Sequence, residues 1–403
     1  MILQSSLLTV LVISVISLSS CSGQSNKDKT QTTSSQKKLV GGGCDGCELM
    51  FIDIPAAIRS VDTSAGWREK GKKLLVTGTV FKNDGKTPAP GVIIYYWQTD
   101  NNGYYSPAEG MNALAKRHGH IRGWVKTDVN GSYSLYTIRP APYPREIIPA
   151  HIHISVKEPA IANEYYIDEF VFDDDKLLTG EKRKHLENRG GSGILRVLMK
   201  DSLQIAEHNI ILGLNIPGYP ETNTAKIKSG LSIGEDNPSF IPYHAYGPDK
   251  GTRTCPVCKY GRYHGIIYFV ANNPDWSDIK KWLLFLEKEQ VARKNYLKAY
   301  FVYGNENNYS KGKRQTELEQ LGNELQLKNI ALTYVPSMTD TESEVQLNKI
   351  NPSVKNTIVV FRHSTIIDKF INLSATEENF KIISKLLDKT KGAYFELGEP
   401  KHD

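Results

Sequence analysis

The sequence predicts two folded parts in series, an all-β sandwich followed by an α/β layer domain. Three observations carry this expectation. Between Lys73 and Tyr166, short β-branched and aromatic runs are separated by Gly, Asn and Asp turns. From about Tyr243, apolar strands alternate with stretches of helix length. A length of 403 residues is long for one domain and comfortable for two.

The elements follow in chain order. Residues 1–20 are an apolar segment ending Leu18-Ser19-Ser20-Cys21, which resembles a bacterial lipoprotein signal with Cys21 as the lipidated residue. Its first residues, Met1-Ile2-Leu3-Gln4, depart from that pattern in carrying no Lys or Arg, and an uncleaved anchor or an ordinary signal peptide is the competing reading. Residues 21–38 are rich in Ser, Thr, Gln and Lys with no apolar period, as a disordered tether should be. The expected location is extracytoplasmic, tethered by lipid to a bacterial membrane and facing an oxidising space.

The sandwich is expected over residues 39–242. Leu74–Val80, Val92–Trp97 and Ser132–Tyr136 read as strands, joined by turns such as Asp128-Val129-Asn130-Gly131. This spacing predicts an antiparallel sandwich. Asp175–Asn188 has the charge pattern of a short helix, and strands resume at Ile194–Leu198 and near Asn209–Leu212. In residues 243–403 the strands are Gly265–Val270, Ala299–Tyr303 and Ile330–Val335, then a hairpin of Thr357–Phe361 and Ile366–Phe370. Helices are expected at Ser277–Ala292, Gln315–Leu325 and Glu377–Leu387. That order resembles a thioredoxin-like domain.

The net charge of +6 is mild and its Lys and Arg are interleaved with acids, so nucleic-acid binding has no support. The chemistry lies elsewhere. In Pro149-Ala150-His151-Ile152-His153-Ile154, a strand places His151 and His153 on one face and the isoleucines on the other. Two imidazoles side by side suit a metal better than a hydrophobic core. With Tyr105 and Tyr143 they make a phenolate and imidazole set that favours a hard, highly charged ion, Fe(III) being the natural candidate. Free tyrosine has a pKa of about 10, so only a strong Lewis acid holds two of them ionised near neutral pH.

The strand and turn pattern alone also fits non-catalytic prealbumin-like modules, which have no use for these pairs. Three further stretches decide between them: Trp97-Gln98-Thr99-Asp100-Asn101-Asn102-Gly103-Tyr104-Tyr105, Ile121-Arg122-Gly123-Trp124, and Thr137–Pro144 leading into Pro149–His153. Together they resemble the intradiol ring-cleavage dioxygenases over roughly Lys73 to Pro220. The resemblance implies Fe(3+) held by Tyr105 and His151 in plane and by Tyr143 and His153 axially, with a catecholic substrate and O2 as partners. It also implies that Tyr143 yields its place to the catechol and takes a proton. The family carries an arginine three residues before the first histidine, where this chain has Ile148; Arg122 and Arg145 are the candidates to supply that charge. Tyr104 competes with Tyr105 as ligand, and His118 and His120 read as loop residues or as lining the substrate mouth.

Four cysteines remain beside Cys21. Cys44 and Cys47, and Cys255 and Cys258, form two CxxC units, open to reading as disulfides, a zinc site or a redox pair. Cys255-Pro256-Val257-Cys258 precedes the first strand of the α/β part, whereas thioredoxins carry theirs after it. The function expected is a lipid-anchored intradiol-type dioxygenase. The alternatives are a catecholate-binding protein without turnover, motivated by Ile148, and a thiol-disulfide protein acting through the α/β part.

Overall fold

The computed structural model describes residues 39–44, 46–220, 227–392 and 394–400. The expected signal, tether and lipidation residue Cys21 lie outside them. Among the described residues no helix is long and apolar enough to cross a membrane.

The first half is β-rich. Its strands are β1 (Val61–Thr63), β2 (Lys73–Phe81), β3 (Ile93–Gln98), β4 (Arg122–Lys126), β5 (Ser132–Ile138) and β6 (His151–Lys157). They continue with β7 (Tyr165–Tyr166), β8 (Phe170–Phe172), β9 (Ile194–Leu195), β10 (Val197–Lys200), β11 (Leu203–Glu207) and β12 (Ile210–Ile211), with the short helix α1 (Gly180–Lys184) between β8 and β9. One sheet runs β1-β5-β2-β11-β10 with β12 beside β2, and the other runs β4-β3-β6-β8-β9 with β7 beside β6. Leu74, Val76 and Val80 from the first sheet and Ile94, Ile152 and Ile154 from the second share one buried core. The two inner faces therefore close a sandwich, each strand giving its alternate residues to the core.

The sandwich is mixed rather than antiparallel. β1 lies parallel to β5, β11 and β12 parallel to β2, and β9 parallel to β8. A period of two fixes which face a side chain takes but carries no information on strand direction, and partners far apart in sequence arrive from either end. The expected strand Ile194–Leu198 also divides at Arg196, with β9 in one sheet and β10 in the other.

The second half forms a third sheet. Its strands are β13 (Tyr243–Tyr246), β14 (His264–Val270), β15 (Leu297–Tyr303), β16 (Ala331–Tyr334), β17 (Thr357–Arg362) and β18 (Thr365–Ile371). The order is β13-β16-β15-β14-β17-β18, with β14, β15 and β16 parallel, β17 antiparallel to β14 and β18 antiparallel to β17. Its helices are α2 (Pro256–Tyr260), α3 (Trp276–Arg293), α4 (Lys311–Glu324) and α5 (Glu377–Thr390). β14 is buried throughout: Ile266 and Tyr268 face Trp282 and Leu286 of α3, and Ile267 and Phe269 pack with Phe240 and Val345 on the other face.

The described residues belong to one compact unit. Arg362 on β17 makes a two-pronged ion pair with Glu207 on β11, at 2.6 and 3.1 Å. Lys86 reaches Asp368 on β18 at 2.7 Å. Between the halves, residues 234–237 run along β18: Gly234 N–H donates to Ile366 O, Ile366 N–H to Glu235 O and Asn237 N–H to Ser364 O.

Candidate metal centre

The sequence places Tyr105 and Tyr143 on separate loops, which a close glycine contact and two hydrogen bonds hold together. Asp100 organises the first: its carboxylate accepts from the amides of Asn102 (2.8 Å) and Tyr104 (3.1 Å) and from Ser106 Oγ (2.7 Å). Gly103 then turns with φ of +86°, and a Cβ there would lie 2.2 Å from Pro142 O. The second loop is fixed by Ala141 N–H donating to Asp100 O and by Thr99 Oγ donating to Ala141 O. Its base is anchored by Arg139, which grips Asp174 with two nitrogens at 2.7 and 2.8 Å.

β6 supplies the histidines. His153 stands opposite Trp97 of β3, with its ring stacked on the indole at 4.8 Å. His151 Nδ1–H donates to Pro149 O at 2.8 Å. His153 Nδ1–H donates to Tyr166 Oη at 2.5 Å, and Tyr166 Oη–H donates onward to Glu169 at 2.8 Å. Both histidines therefore carry the proton on Nδ1 and present a bare Nε2 lone pair, a tautomer assigned from these hydrogen bonds.

Four donor atoms converge. Tyr105 Oη is 2.6 Å from Tyr143 Oη and 2.7 Å from His153 Nε2. Tyr143 Oη is 3.0 Å from His151 Nε2 and 3.5 Å from His153 Nε2, and the two Nε2 atoms are 3.2 Å apart. Each Nε2 lies within hydrogen-bond reach of a phenol, Tyr105 for His153 and Tyr143 for His151, and all four donor atoms face one point at which a cation fits. A proton is a poor answer, because burial and then neighbouring His151 and His118 hold His153 well below the ordinary histidine range. Burial and Tyr143 likewise raise Tyr105 far above the usual phenol value, so a strong local positive charge is needed to ionise it. The donor set fits a hard metal ion. Among the described residues no cluster of three or more His, Cys, Asp or Glu competes for this role.

A cavity of about 450 Å³ opens on the convergence. Tyr105, Tyr143 and His153 line it, and His151 lies directly behind them. Tyr104 is exposed and absent from the lining. His118 lines the cavity, stacked on Trp97 at 4.1 Å, whereas His120 is turned away onto Ser106 O and Glu69.

The two arginines expected to supply positive charge are not on the cavity wall. Arg122 donates to Asp53 at 2.9 Å, to Ile52 O at 3.2 Å and to Tyr95 Oη at 3.3 Å, because its register opposite Trp97 aims it at the N-terminal loop. Arg145 is exposed with φ of +67°, on a bulging turn after Tyr143. Arg117 and Arg189 line the cavity instead, paired with Glu48 and Glu187. Sequence reasoning missed both, together with Tyr166 and Glu169. None has a local signature, since each reaches the cavity only through sheet pairing or a long loop.

Each CxxC closes on itself as a disulfide, Cys44 to Cys47 and Cys255 to Cys258. Cys47 Sγ packs on Ser155 Oγ of β6 at 3.0 Å, which makes Gly43 and Cys44 part of the cavity wall. Cys255 caps α2, its sulfur accepting from Cys258 N–H. Pro256 at the first helical position suits the start of this short helix.

Behind the cavity, Asp168 pins the segment that carries Arg189. Its own N–H donates to Arg189 O at 3.1 Å. Burial pushes its carboxyl up to about 7 from 3.8, against the amides of Arg189 and Asn188 that favour the charged form. A folded pKa above the unfolded one means the native state keeps a proton that the unfolded chain releases. The resulting stability is full below about pH 4 and is lost as pH rises through 7. Asp168→Asn is therefore expected to stabilise the protein at pH 8 by about 2 kcal/mol and to change little at pH 4, checked by urea unfolding at both pH values.

Residues 53–183 match the family model Dioxygenase_C, described as Dioxygenase. Catechol 1,2-dioxygenase 1 of Acinetobacter lwoffii is 26% identical over 173 residues, covering 37% of this chain and 54% of that protein. Catechol 1,2-dioxygenase of Acinetobacter baylyi is 31% identical over 98 residues, covering 24% of this chain and 30% of that protein. This chain thus spans less than two thirds of the length of both relatives. Among solved structures, the dioxygenase domain of a dioxygenase and carbohydrate-binding protein fusion from Streptomyces sp. SirexAA-E is similar at 23% identity and a TM-score of 0.29, over 38% of this chain and 87% of that one.

Proposed function

We propose that the centre holds Fe(III) and cleaves a catecholic ring between its hydroxyl-bearing carbons with O2. The observation that carries this reading is the meeting of two phenols and two Nε2 lone pairs at 2.6–3.5 Å. Bound Fe(III) supplies the Lewis acidity that ionises catechol hydroxyls and phenols alike. The match of residues 53–183 to the dioxygenase model supports the reaction class.

The protein's part is positioning and proton handling. Tyr105, His151 and His153 are fixed by sheet pairing and by the Asp100 loop. Tyr143 is followed by the exposed residues 144–148, so its displacement disturbs the least packing. It is the group to leave and to accept a substrate proton on Oη. Trp97 offers a flat apolar wall, and the arginines on that wall, Arg117 and Arg189, are each paired with a glutamate. The Tyr166–Glu169 pair holds His153 in its ligating tautomer. Tyr166→Phe removes that acceptor and is expected to weaken iron binding by about 10- to 100-fold with little change in melting temperature, read by equilibrium dialysis beside a thermal scan.

A second reading, catecholate binding without turnover, is favoured by Ile148, which is exposed and off the cavity wall. One experiment separates the two. The Fe(III)-loaded protein is titrated with catechols in air, following the visible tyrosinate band and oxygen uptake together. A band that shifts and then decays as oxygen falls supports cleavage. A stable shifted band with no oxygen uptake supports binding alone, and no shift removes both.

The chain is further read as a lipoprotein anchored through Cys21 and facing an oxidising compartment, a reading supported by its two disulfides. The α/β half is read as thioredoxin-like in its β14–β15 and β17–β18 arrangement. Its Cys255–Cys258 disulfide at α2, ahead of β14, favours a packing or docking role over thiol exchange.

A further inference from the structure

The metal-centre cavity takes part of its wall from outside the two sheets. Gly43 and Cys44, on the N-terminal loop, line it together with Tyr105, Tyr143 and His153. Gly43 closes a run of three glycines, Gly41-Gly42-Gly43, and such a run has many conformations open to it unless something holds one. Among the described residues, Gly43 and Cys44 make no hydrogen bond, and the disulfide to Cys47 is the bond that holds them.

The Cys47 end of that bond is fixed on the site itself. Cys47 is 1% exposed, and its sulfur packs on Ser155 Oγ at 3.0 Å. Ser155 follows His151 and His153 at the strand period, so the disulfide stands on the face of β6 that carries the two imidazoles. Gly46 presses on two further residues of the cavity wall: a Cβ there would lie 2.6 Å from Arg117 Nη2 and 2.9 Å from His118 Nε2. His118 is stacked on Trp97 at 4.1 Å and Trp97 on His153 at 4.8 Å, so the loop bears on a column of rings that ends at a candidate ligand. Beyond Cys47, Met50 is buried against Tyr95 and Trp97, and its carbonyl accepts from Trp124 Nε1 at 2.7 Å.

A disulfide between residues three apart closes a small ring and constrains the unfolded chain less than a long one does, so its effect is mainly local. Here it passes the anchoring of Cys47 on to Cys44 and Gly43. At Gly43, a Cβ would meet no atom within 4 Å outside its chain neighbours. The wall is set back at that point, and a group carried on a bound ring has room there.

We propose that the Cys44–Cys47 disulfide locks the substrate wall of the cavity, and that the space at Gly43 admits a catechol bearing a ring substituent. The proposal rests on the reading of the centre as a catechol site. It assigns the disulfide to substrate fit and not to metal binding, since neither sulfur is among the four converging donor atoms.

The test uses the full chain loaded with gallium(III), a hard trivalent ion that binds catechols without turnover. Calorimetry follows binding of catechol and of 4-tert-butylcatechol, and elemental analysis and circular dichroism follow metal content and fold. The unaltered protein is expected to bind both. The double variant Cys44→Ser, Cys47→Ser is expected to keep its fold and its metal and to bind both catechols about tenfold more weakly, because the wall is no longer held. Gly43→Leu tests the same wall with the disulfide intact. Gly43 does not have a positive φ, so the substitution is unstrained, and it is expected to weaken 4-tert-butylcatechol about tenfold more than catechol. Unchanged affinities in either variant overturn the proposal. Loss of metal from the double variant also overturns it, by making the disulfide part of the metal site. Unaltered protein that holds gallium but takes up neither catechol refutes the reading of the centre itself, and this proposal with it.

Discussion

His153→Ala is expected to leave the protein folded and unable to hold stoichiometric iron. The backbone of β6 is fixed by its pairing with β3, and the core is filled by Ile152 and Ile154 on the opposite face. Removing the imidazole therefore costs the stacking on Trp97 and little else of the packing, about 1 kcal/mol. The effect on the proposed ferric site is far larger. One of four donors is gone, and Tyr105 Oη loses the neighbour at 2.7 Å that keeps it aimed inward. Iron content after gel filtration, with the intensity of the visible tyrosinate band, measures the loss, and circular dichroism checks the fold. A variant that retains one iron per chain would show that the site is not built around this residue.

Gly103→Ala is expected to damage the same site without touching a ligand. The residue has φ of +86°, which costs a non-glycine side chain about 1 kcal/mol. The added methyl would also sit 2.2 Å from Pro142 O and 2.9 Å from Pro144 Cδ. Relief comes only by parting the Asp100 loop from the loop after β5, and these carry Tyr105 and Tyr143. A loss of about 2 kcal/mol in unfolding free energy is expected, with a tyrosinate band weakened or shifted because the phenols no longer meet. Urea unfolding and the visible spectrum of the iron-loaded variant test both halves. Unchanged values for each would mean that the loops are free to adjust, and that the glycine contact does not set the site.

Particular residues show how far the sequence reaches. His151 and His153 are legible because strand periodicity alone places them on one face. Tyr105 and Tyr143 are legible only through motif resemblance, since 38 residues and two loops separate them and their meeting depends on Gly103. Arg122 is a sequence candidate for the charge missing at Ile148, yet register opposite Trp97 sends it to Asp53. Arg189 could not be chosen from the sequence, because it reaches the cavity through a loop that Asp168 pins from behind. Strand positions in both halves were visible in the apolar pattern. The parallel return of β11 beside β2 was not, as alternation is blind to direction.

The ion pair between Arg362 and Glu207 and the ladder along residues 234–237 bear on how the chain comes apart. Each half completes bonds for the other, so neither has a closed boundary at residue 242. Severing the chain there would leave Glu207 uncompensated and the free edge of β18 open to pairing with another molecule. The halves should accordingly lose their structure together, in one calorimetric transition whose enthalpy reflects the whole described chain.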